Sequence, residues 1–202
     1  MKDFGFYLVI TNPVVGYARC AEAAVRAGVR IVQLRMKHAA REDILREARE
    51  MRRVTRGTDT LFIVNDDPAL AAEAEADGVH VGQDDMSPSE VRANFPQLKV
   101  VGLSTHNLDQ VRASWDQPID YIGVGPVYAT PTKDIPDPTL GPEMAGRMIA
   151  AARVPAVAIG CINAETLPPV LAAGARNFAV VRAVCQSQDP YSAICKLLEI
   201  HA

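Results

Sequence analysis

The sequence predicts an α/β fold of the (β/α)₈ TIM-barrel type, and three observations support that prediction. Eight short runs rich in Val, Ile, Leu and aromatic residues recur along the 202 residues. Segments with apolar residues at helical spacing lie between them. The runs begin about 24 residues apart, which suits a strand and a helix joined by short loops. Eight such units make a barrel at the short end of its usual size range.

The eight predicted strands are almost continuously apolar. Strands of a parallel sheet read in this way because helices cover one face and the barrel interior covers the other. The predicted strands are residues 6–10, 29–33, 60–64, 78–81, 99–103, 120–124, 154–159 and 176–181.

Five of the intervening segments show helical spacing most clearly. They are residues 18–27, 42–54, 68–76, 88–94 and 142–152. Two of these helices have clear start signals, because Asp67 precedes Pro68 and Ser87 precedes Pro88. Asp and Ser are favoured N-caps, and Pro is favoured at the first helical position. We therefore predict that Asp67 and Ser87 are caps.

An open, doubly wound sheet also alternates strands and helices. Such sheets usually have five or six strands and a glycine-rich dinucleotide motif after the first, whereas this chain has eight runs and no such motif. No linker rich in Pro, Gly or Ser divides the chain, so we assign residues 1–202 to one domain. The one long connection, residues 126–141, is of a length usually linked to function.

Charge and composition narrow the partners. The chain has 21 Lys and Arg against 24 Asp and Glu, a net charge of −3, which offers nucleic acid no positive field. No apolar run approaches the roughly 20 residues of a membrane span, and the first residues lack signal-peptide form. We expect a cytoplasmic protein with reduced cysteines. The sequence leaves homo-oligomerisation open.

Polar residues follow the predicted strands at the end where (β/α)₈ barrels carry their active sites. Gln33, Arg35 and Lys37 alternate with Leu and Met and so share one face of an extended segment. Arg offers a planar fork of donors and Lys a point charge, which suits a phosphate or pyrophosphate. An interior ion pair is the alternative. His106, after the fifth strand, is either a general acid or base or a polar loop residue.

Two carboxylates end neighbouring strands beside these cations. With Asp67 acting as a cap, Asp66 is left to face the barrel mouth, as is either Asp84 or Asp85 after the next strand. Mg²⁺ typically binds one or two carboxylates together with waters and substrate phosphates. The pair therefore indicates a Mg²⁺ site, and salt bridges to the nearby Arg and Lys are the alternative.

At these positions the chain resembles the thiamine-phosphate synthase family over nearly its whole length. Six blocks in the right order, each at a strand end, carry the resemblance. They are residues 7–11 (YLVIT), 32–37 (VQLRMK), 62–66 (FIVND), 77–85 (DGVHVGQDD), 102–107 (GLSTHN) and 120–128 (DYIGVGPVY) with 130–133 (TPTK).

The resemblance implies a transferase that joins hydroxymethylpyrimidine pyrophosphate to thiazole phosphate, releases pyrophosphate and uses Mg²⁺. It implies that the pyrimidine pyrophosphate is held by Gln33, Arg35, Lys37, Asn65 and Lys133. Asp66 and Asp85 would bind Mg²⁺, and Ser104 would contact the pyrimidine or its leaving group. Thr130 and Thr132 would bind the thiazole phosphate. The residues expected to act on the reacting groups are Lys133, Ser104 and Arg35.

The last two strands depart from the family pattern. The chain has Gly160-Cys161 where the family has Gly-Gly, Arg182 where it has Ser, and Cys185 where it has Ser or Thr. A second glycine lets backbone amides approach a phosphate, so we expect Cys161 to crowd the thiazole-phosphate site beside Gly160. Arg182 either supplies a charged replacement or pairs with a carboxylate such as Asp189.

Two other functions stay open from the sequence. A thiazole tautomerase is an isomerase on the same barrel that needs neither a pyrophosphate clamp nor paired metal ligands, so Asp66, Asp85 and Lys133 argue against it. A divergent barrel that binds a phosphorylated ligand without turnover is the second, and the departures in the last two strands favour it.

Overall fold

Eight parallel strands close into a barrel in the computed structural model, which describes residues 3–129 and 138–201. Each strand pairs with the next along the chain, and β8 pairs with β1. The strands are β1 (Phe6–Ile10), β2 (Ile31–Leu34), β3 (Leu61–Asn65), β4 (Gly78–Val81), β5 (Val100–Thr105), β6 (Tyr121–Val124), β7 (Ala156–Ile159) and β8 (Asn177–Val180). The predicted fold class is confirmed.

Helices follow the strands and cover the barrel from outside. They are α1 (Tyr17–Arg26), α2 (Arg41–Thr55), α3 (Pro68–Glu73), α4 (Pro88–Asn94), α5 (Leu108–Ala113), α6 (Gly141–Ala151), α7 (Leu167–Ala172), α8 (Arg182–Cys185) and α9 (Pro190–His201). Both predicted caps are present, because Asp67 accepts from the Leu70 amide at 2.8 Å and Ser87 forms a capping box with Glu90. No helix in the described ranges is long and apolar enough to cross a membrane.

The strands separate two apolar layers. Outward-facing residues such as Leu8 and Phe62 pack against the helices, and inward-facing residues such as Tyr7, Ile63 and Val157 fill the barrel. Successive side chains of a strand point to opposite faces, so a strand buried on both sides has no polar alternation. The inward-facing polar residues near the carboxyl-terminal ends of the strands lie beneath the barrel mouth.

An aspartate clasp joins strands at the amino-terminal end of the barrel. Asp120, just before β6, accepts a hydrogen bond from the Val101 amide of β5 at 2.7 Å. The same carboxylate pairs with Arg92 of α4 at 2.6 Å. Asp77 makes the equivalent contacts two units earlier, to a β3 amide and to an α2 arginine. Each clasp ties two strands to one helix.

Asp120→Ala should lower the free energy of unfolding by about 2–3 kcal/mol, because it leaves a strand amide without its acceptor and a half-buried guanidinium without its carboxylate partner. Urea denaturation measures this change. The matched control is Asp109→Ala, whose exposed carboxylate pairs with Arg112 one turn along α5. The control should cost less than about 0.5 kcal/mol, and equal losses in the two variants would contradict the clasp.

Candidate active site

A cavity of about 890 Å³ lies at the carboxyl-terminal ends of the strands. The inner face of the barrel forms its floor, and the loops after the strands form its rim. The predicted site residues that line it are Gln33, Arg35, Lys37, Asn65, Asp66, Asp85, Ser104, Gly160 and Arg182. Three further predicted residues, Thr130, Thr132 and Lys133, lie outside the described residues.

The residues after β2 reach the cavity at two depths. Gln33 is the penultimate residue of the strand and is buried in the floor, where its amide Nε2 donates to the Tyr7 hydroxyl at 2.7 Å. Arg35 lies beyond the strand end, and its backbone amide donates to the Ile10 carbonyl at 3.0 Å. Lys37 is exposed at the rim. Arg35 and Lys37 thus lie nearer the solvent than Gln33.

Asp66 occupies a left-handed turn directly after β3. Its φ is 64°, a conformation that Asp tolerates better than most residues. Its backbone amide donates to the His80 carbonyl at 2.8 Å, which continues the ladder between β3 and β4. Lys37 donates from Nζ to the Asp66 carboxylate. The turn therefore holds the Asp66 carboxylate beside the cationic rim.

Asp85 lies next to Asp66, and it is the member of the Asp84 and Asp85 pair that meets it. The Asp85 carboxylate accepts from the Gly82 amide at 2.7 Å. Burial raises the pKa of Asp85, and the neighbouring Asp66 carboxylate raises it further, whereas the Gly82 amide and Lys37 oppose the change. Two carboxylates in contact beside one lysine retain negative charge that a cation would neutralise.

These two carboxylates fit a Mg²⁺ ion that completes its shell with water and phosphate oxygens. In residues 3–129 and 138–201 no group of three or more His, Cys, Asp and Glu side chains forms a self-sufficient metal site. A site of two carboxylates would depend on a phosphorylated ligand for further oxygens. The salt-bridge alternative also has a basis, since Lys37 pairs with Asp66.

Three polar residues of the cavity floor are not among the predicted site residues. Tyr7 of β1 and Tyr121 of β6 share a hydrogen bond of 2.9 Å between their hydroxyls. His80 of β4 contacts the Tyr121 hydroxyl through Nδ1 at 3.0 Å and Ser104 Oγ through Nε2 at 2.9 Å. Each of these residues is a single polar residue in an apolar run, which in the sequence looks like part of the core. Their contact becomes visible only in the closed barrel, where all three side chains face inward.

The prediction that Cys161 crowds the site is wrong, because the close packing lies one residue earlier. Cys161 is exposed, and its φ of 49° explains why glycine suits this position. The close packing is at Gly160, where a Cβ would lie 2.7 Å from Cα of Pro126 in the loop after β6. Cys185 is buried outside the cavity and donates from Sγ to the Val9 carbonyl. Of the three departures, only Cys161 and Arg182 line the cavity.

Arg182 is exposed at the cavity rim as the first residue of α8. The alternative partner Asp189 instead accepts from the backbone amide and hydroxyl of Ser192 at the start of α9. Within the described ranges no carboxylate pairs with Arg182. Its guanidinium therefore lines the mouth without a competing carboxylate among the described residues.

His106 holds the loop after β6. A carbonyl oxygen can only accept, so Nδ1 of His106 donates to the Gly125 carbonyl at 2.6 Å. The His106 backbone amide donates to Oε1 of Gln110 at 2.6 Å. These contacts support the loop interpretation of His106.

Fold and cavity together define a (β/α)₈-barrel enzyme with cations and paired carboxylates at its mouth. Residues 6–184 match the family described as thiamine monophosphate synthase, and the chain belongs to that family.

Named relatives agree with this assignment. The chain is 36% identical to the thiamine-phosphate synthase of Archaeoglobus fulgidus over 99% of its own length and 95% of that protein. It is 44% identical to the thiamine-phosphate synthase of Synechococcus sp. strain WH7803 over 89% of its length, but it spans only about half of that relative. The solved thiamine phosphate pyrophosphorylase of Pyrococcus furiosus superposes with a TM-score of 0.89 at 27% identity, covering 98% and 96% of the two chains.

Proposed function

We propose that the protein is a thiamine-phosphate synthase, which joins hydroxymethylpyrimidine pyrophosphate to thiazole phosphate and releases pyrophosphate. The observation that carries the proposal is the contact of Asp66 with Asp85 beside Lys37 and Arg35 at the mouth of a barrel of this family. Cations and metal ligands side by side suit a pyrophosphate leaving group. A thiazole tautomerase has no need of that pairing.

The reaction demands little acid or base chemistry from the protein. The aminopyrimidine ring donates electron density to its methylene carbon as the carbon–oxygen bond breaks, and the bonding pair leaves on pyrophosphate. The thiazole nitrogen then supplies the pair for the new carbon–nitrogen bond. The site must stabilise the departing charge and hold the two reactants in line.

Each part of the cavity has an assigned role in this proposal. Arg35, Lys37 and Asn65 bind the pyrophosphate, and the floor residues Gln33 and Ser104 bind the pyrimidine. Lys133 would join the pyrophosphate clamp, an assignment that rests on the resemblance alone. Asp66 and Asp85 would hold Mg²⁺, which when bound neutralises charge on the pyrophosphate oxygens.

The thiazole phosphate would bind on the opposite side of the mouth. Barrels of this type frequently bind phosphate at the loops after strands seven and eight, where Gly160 and Arg182 lie. An Arg fork can bind two phosphate oxygens at once. Thr130 and Thr132, carried over from the resemblance, would complete this subsite.

Turnover with both substrates and Mg²⁺, followed by mass detection of thiamine phosphate, tests the proposal directly. Formation of thiamine phosphate only when both substrates are present would support it. Binding of the phosphorylated substrates without product would instead favour a binding protein, and interconversion of thiazole tautomers would favour the isomerase.

Arg182→Ser should raise the KM for thiazole phosphate by about 10- to 100-fold, because it removes a charge-assisted contact to the phosphate. The KM for the pyrimidine pyrophosphate should stay within about twofold. Arg176→Ser is the matched control, since Arg176 precedes the same strand at the other end of the barrel, where it pairs with Asp3. An unchanged or lower KM in Arg182→Ser would exclude Arg182 from the phosphate site.

A further inference from the structure

Five polar side chains form one continuous hydrogen-bonded path across the barrel floor. It runs from Gln33 through Tyr7, Tyr121 and His80 to Ser104, and its four contacts measure 2.7, 2.9, 3.0 and 2.9 Å. All five residues line the cavity. The two ends are the residues that the proposed function assigns to the pyrimidine. The three middle residues have no assigned role.

Hydrogen bonds can be donated along this path in one direction, from Gln33 to Ser104, so that every proton on it has an acceptor. The Gln33 amide nitrogen can only donate, so the Tyr7 hydroxyl accepts from it and gives its own proton to Tyr121. Tyr121 then donates to Nδ1 of His80, which places the proton of the neutral imidazole on Nε2. Nε2 donates to Ser104 Oγ. The Ser104 proton is therefore left for the cavity.

Burial keeps the two tyrosine hydroxyls of the path protonated. Burial raises the pKa of both Tyr7 and Tyr121 well above the ordinary tyrosine value. Each hydroxyl therefore carries one proton at neutral pH. A neutral hydroxyl that accepts one hydrogen bond can donate its single proton to the next group. The direction of hydrogen-bond donation at one tyrosine therefore fixes the direction at the next.

Gly102 provides the space for the path. It faces inward from β5, and a Cβ at this position would lie 2.2 Å from Cζ of Tyr121 and 2.5 Å from Nδ1 of His80. The Tyr121 and His80 rings stack over this position with centroids 5.4 Å apart. The close approach of Tyr121 to His80 thus depends on the missing side chain.

We propose that Tyr7, Tyr121 and His80 are positioning residues that select an aminopyrimidine over an oxopyrimidine, an inference that rests on the proposed function. The path leaves a hydrogen-bond donor at Ser104 and an acceptor at the Gln33 side-chain carbonyl, to which no described residue donates. An aminopyrimidine edge offers the complement, an unprotonated ring nitrogen and an amino group. The corresponding oxopyrimidine presents an N–H donor where the aminopyrimidine has an acceptor, and a carbonyl acceptor where the aminopyrimidine has a donor.

The test measures binding rather than turnover. Hydroxymethylpyrimidine pyrophosphate, its oxo analogue and inorganic pyrophosphate are titrated separately by calorimetry, without thiazole phosphate. Wild-type protein should bind the amino compound at least 10-fold more tightly than the oxo compound. Tyr121→Phe keeps the ring and removes the proton that sets the direction, so this preference should fall to less than about threefold. The affinity for pyrophosphate should not change.

Tyr128→Phe is the matched control, because the Tyr128 hydroxyl donates to the Thr166 carbonyl outside the path. It should keep the wild-type preference. Tyr7→Phe, which removes the hydroxyl between Gln33 and Tyr121, repeats the test if Tyr121→Phe does not fold. An unchanged preference in a folded Tyr121→Phe, or equal loss of pyrophosphate binding, would overturn the proposal. Selective binding without any thiamine phosphate product would instead contradict the transferase and leave the selectivity supported.

Discussion

Asp66→Asn should lower kcat/KM for hydroxymethylpyrimidine pyrophosphate by about 10²- to 10³-fold, the scale of a lost electrostatic contact to a developing charge. The substitution preserves the shape of the side chain and removes the negative charge beside Lys37. Steady-state assays at saturating thiazole phosphate measure the loss. Asp85→Asn should show a loss of the same order, because the two carboxylates share one place at the mouth.

Asp84→Asn is the matched control for both variants. Asp84 follows the same strand and carries the same charge, but Asp85 is the residue that meets Asp66 and the Gly82 amide. Its kcat/KM should stay within a few-fold of the wild-type value. Comparable losses at Asp84 and Asp85 would indicate that the general negative potential of the loop matters rather than a defined site.

Removal of divalent cations separates a metal site from a salt bridge. Chelated wild-type protein should lose activity and regain it on addition of Mg²⁺, whereas Asp66→Asn should need a higher Mg²⁺ concentration to reach half of its own maximum. If chelated wild-type protein kept full activity, Asp66 would act through its pair with Lys37 alone. Titration of Mg²⁺ against initial rate distinguishes the two.

The barrel could be predicted from the sequence because its strands are buried on both faces. Runs such as Phe6–Ile10 and Gly78–Val81 therefore stand out as apolar segments, and their observed bounds equal the predicted ones. The helices Leu108–Ala113 and Leu167–Ala172 have only six residues, and neither begins with a capping residue directly before a proline as the equally short Pro68–Glu73 does. Short helices depend on packing against the barrel rather than on their own pattern.

The rim of the site could be predicted because its residues follow strands in a readable order, as Arg35 and Asp66 do. The three floor residues Tyr7, His80 and Tyr121 could not, since they are far apart in sequence and each lies in an otherwise apolar run. Their contacts depend on the register of the closed sheet, in which His80 lies beside Gly102 and Gly102 beside Tyr121. Register is a property of the whole barrel rather than of one segment.

Arg35→Ala should lower kcat by about 10²-fold or more, whereas Arg35→Lys should recover part of that loss. In the proposed function, the contact of the Arg35 guanidinium with pyrophosphate strengthens as negative charge develops on the leaving group, so its removal should reduce kcat and kcat/KM together. Lys restores the charge without the planar fork, and the difference between the two variants therefore measures what two-point contact adds. Stopped assays over a range of both substrates yield the two constants.

Arg30→Ala is the matched control, because Arg30 precedes β2 at the opposite end of the barrel and is exposed there. It should leave both constants within about twofold of wild type, which would show that removing an arginine beside this strand does no general harm. A wild-type kcat in Arg35→Lys would mean that charge alone suffices at this position. A rise confined to KM in Arg35→Ala would mean that Arg35 binds the ground state and the transition state equally well. Stabilisation of the departing pyrophosphate would then have to come from Lys37 and from a cation held by the two carboxylates.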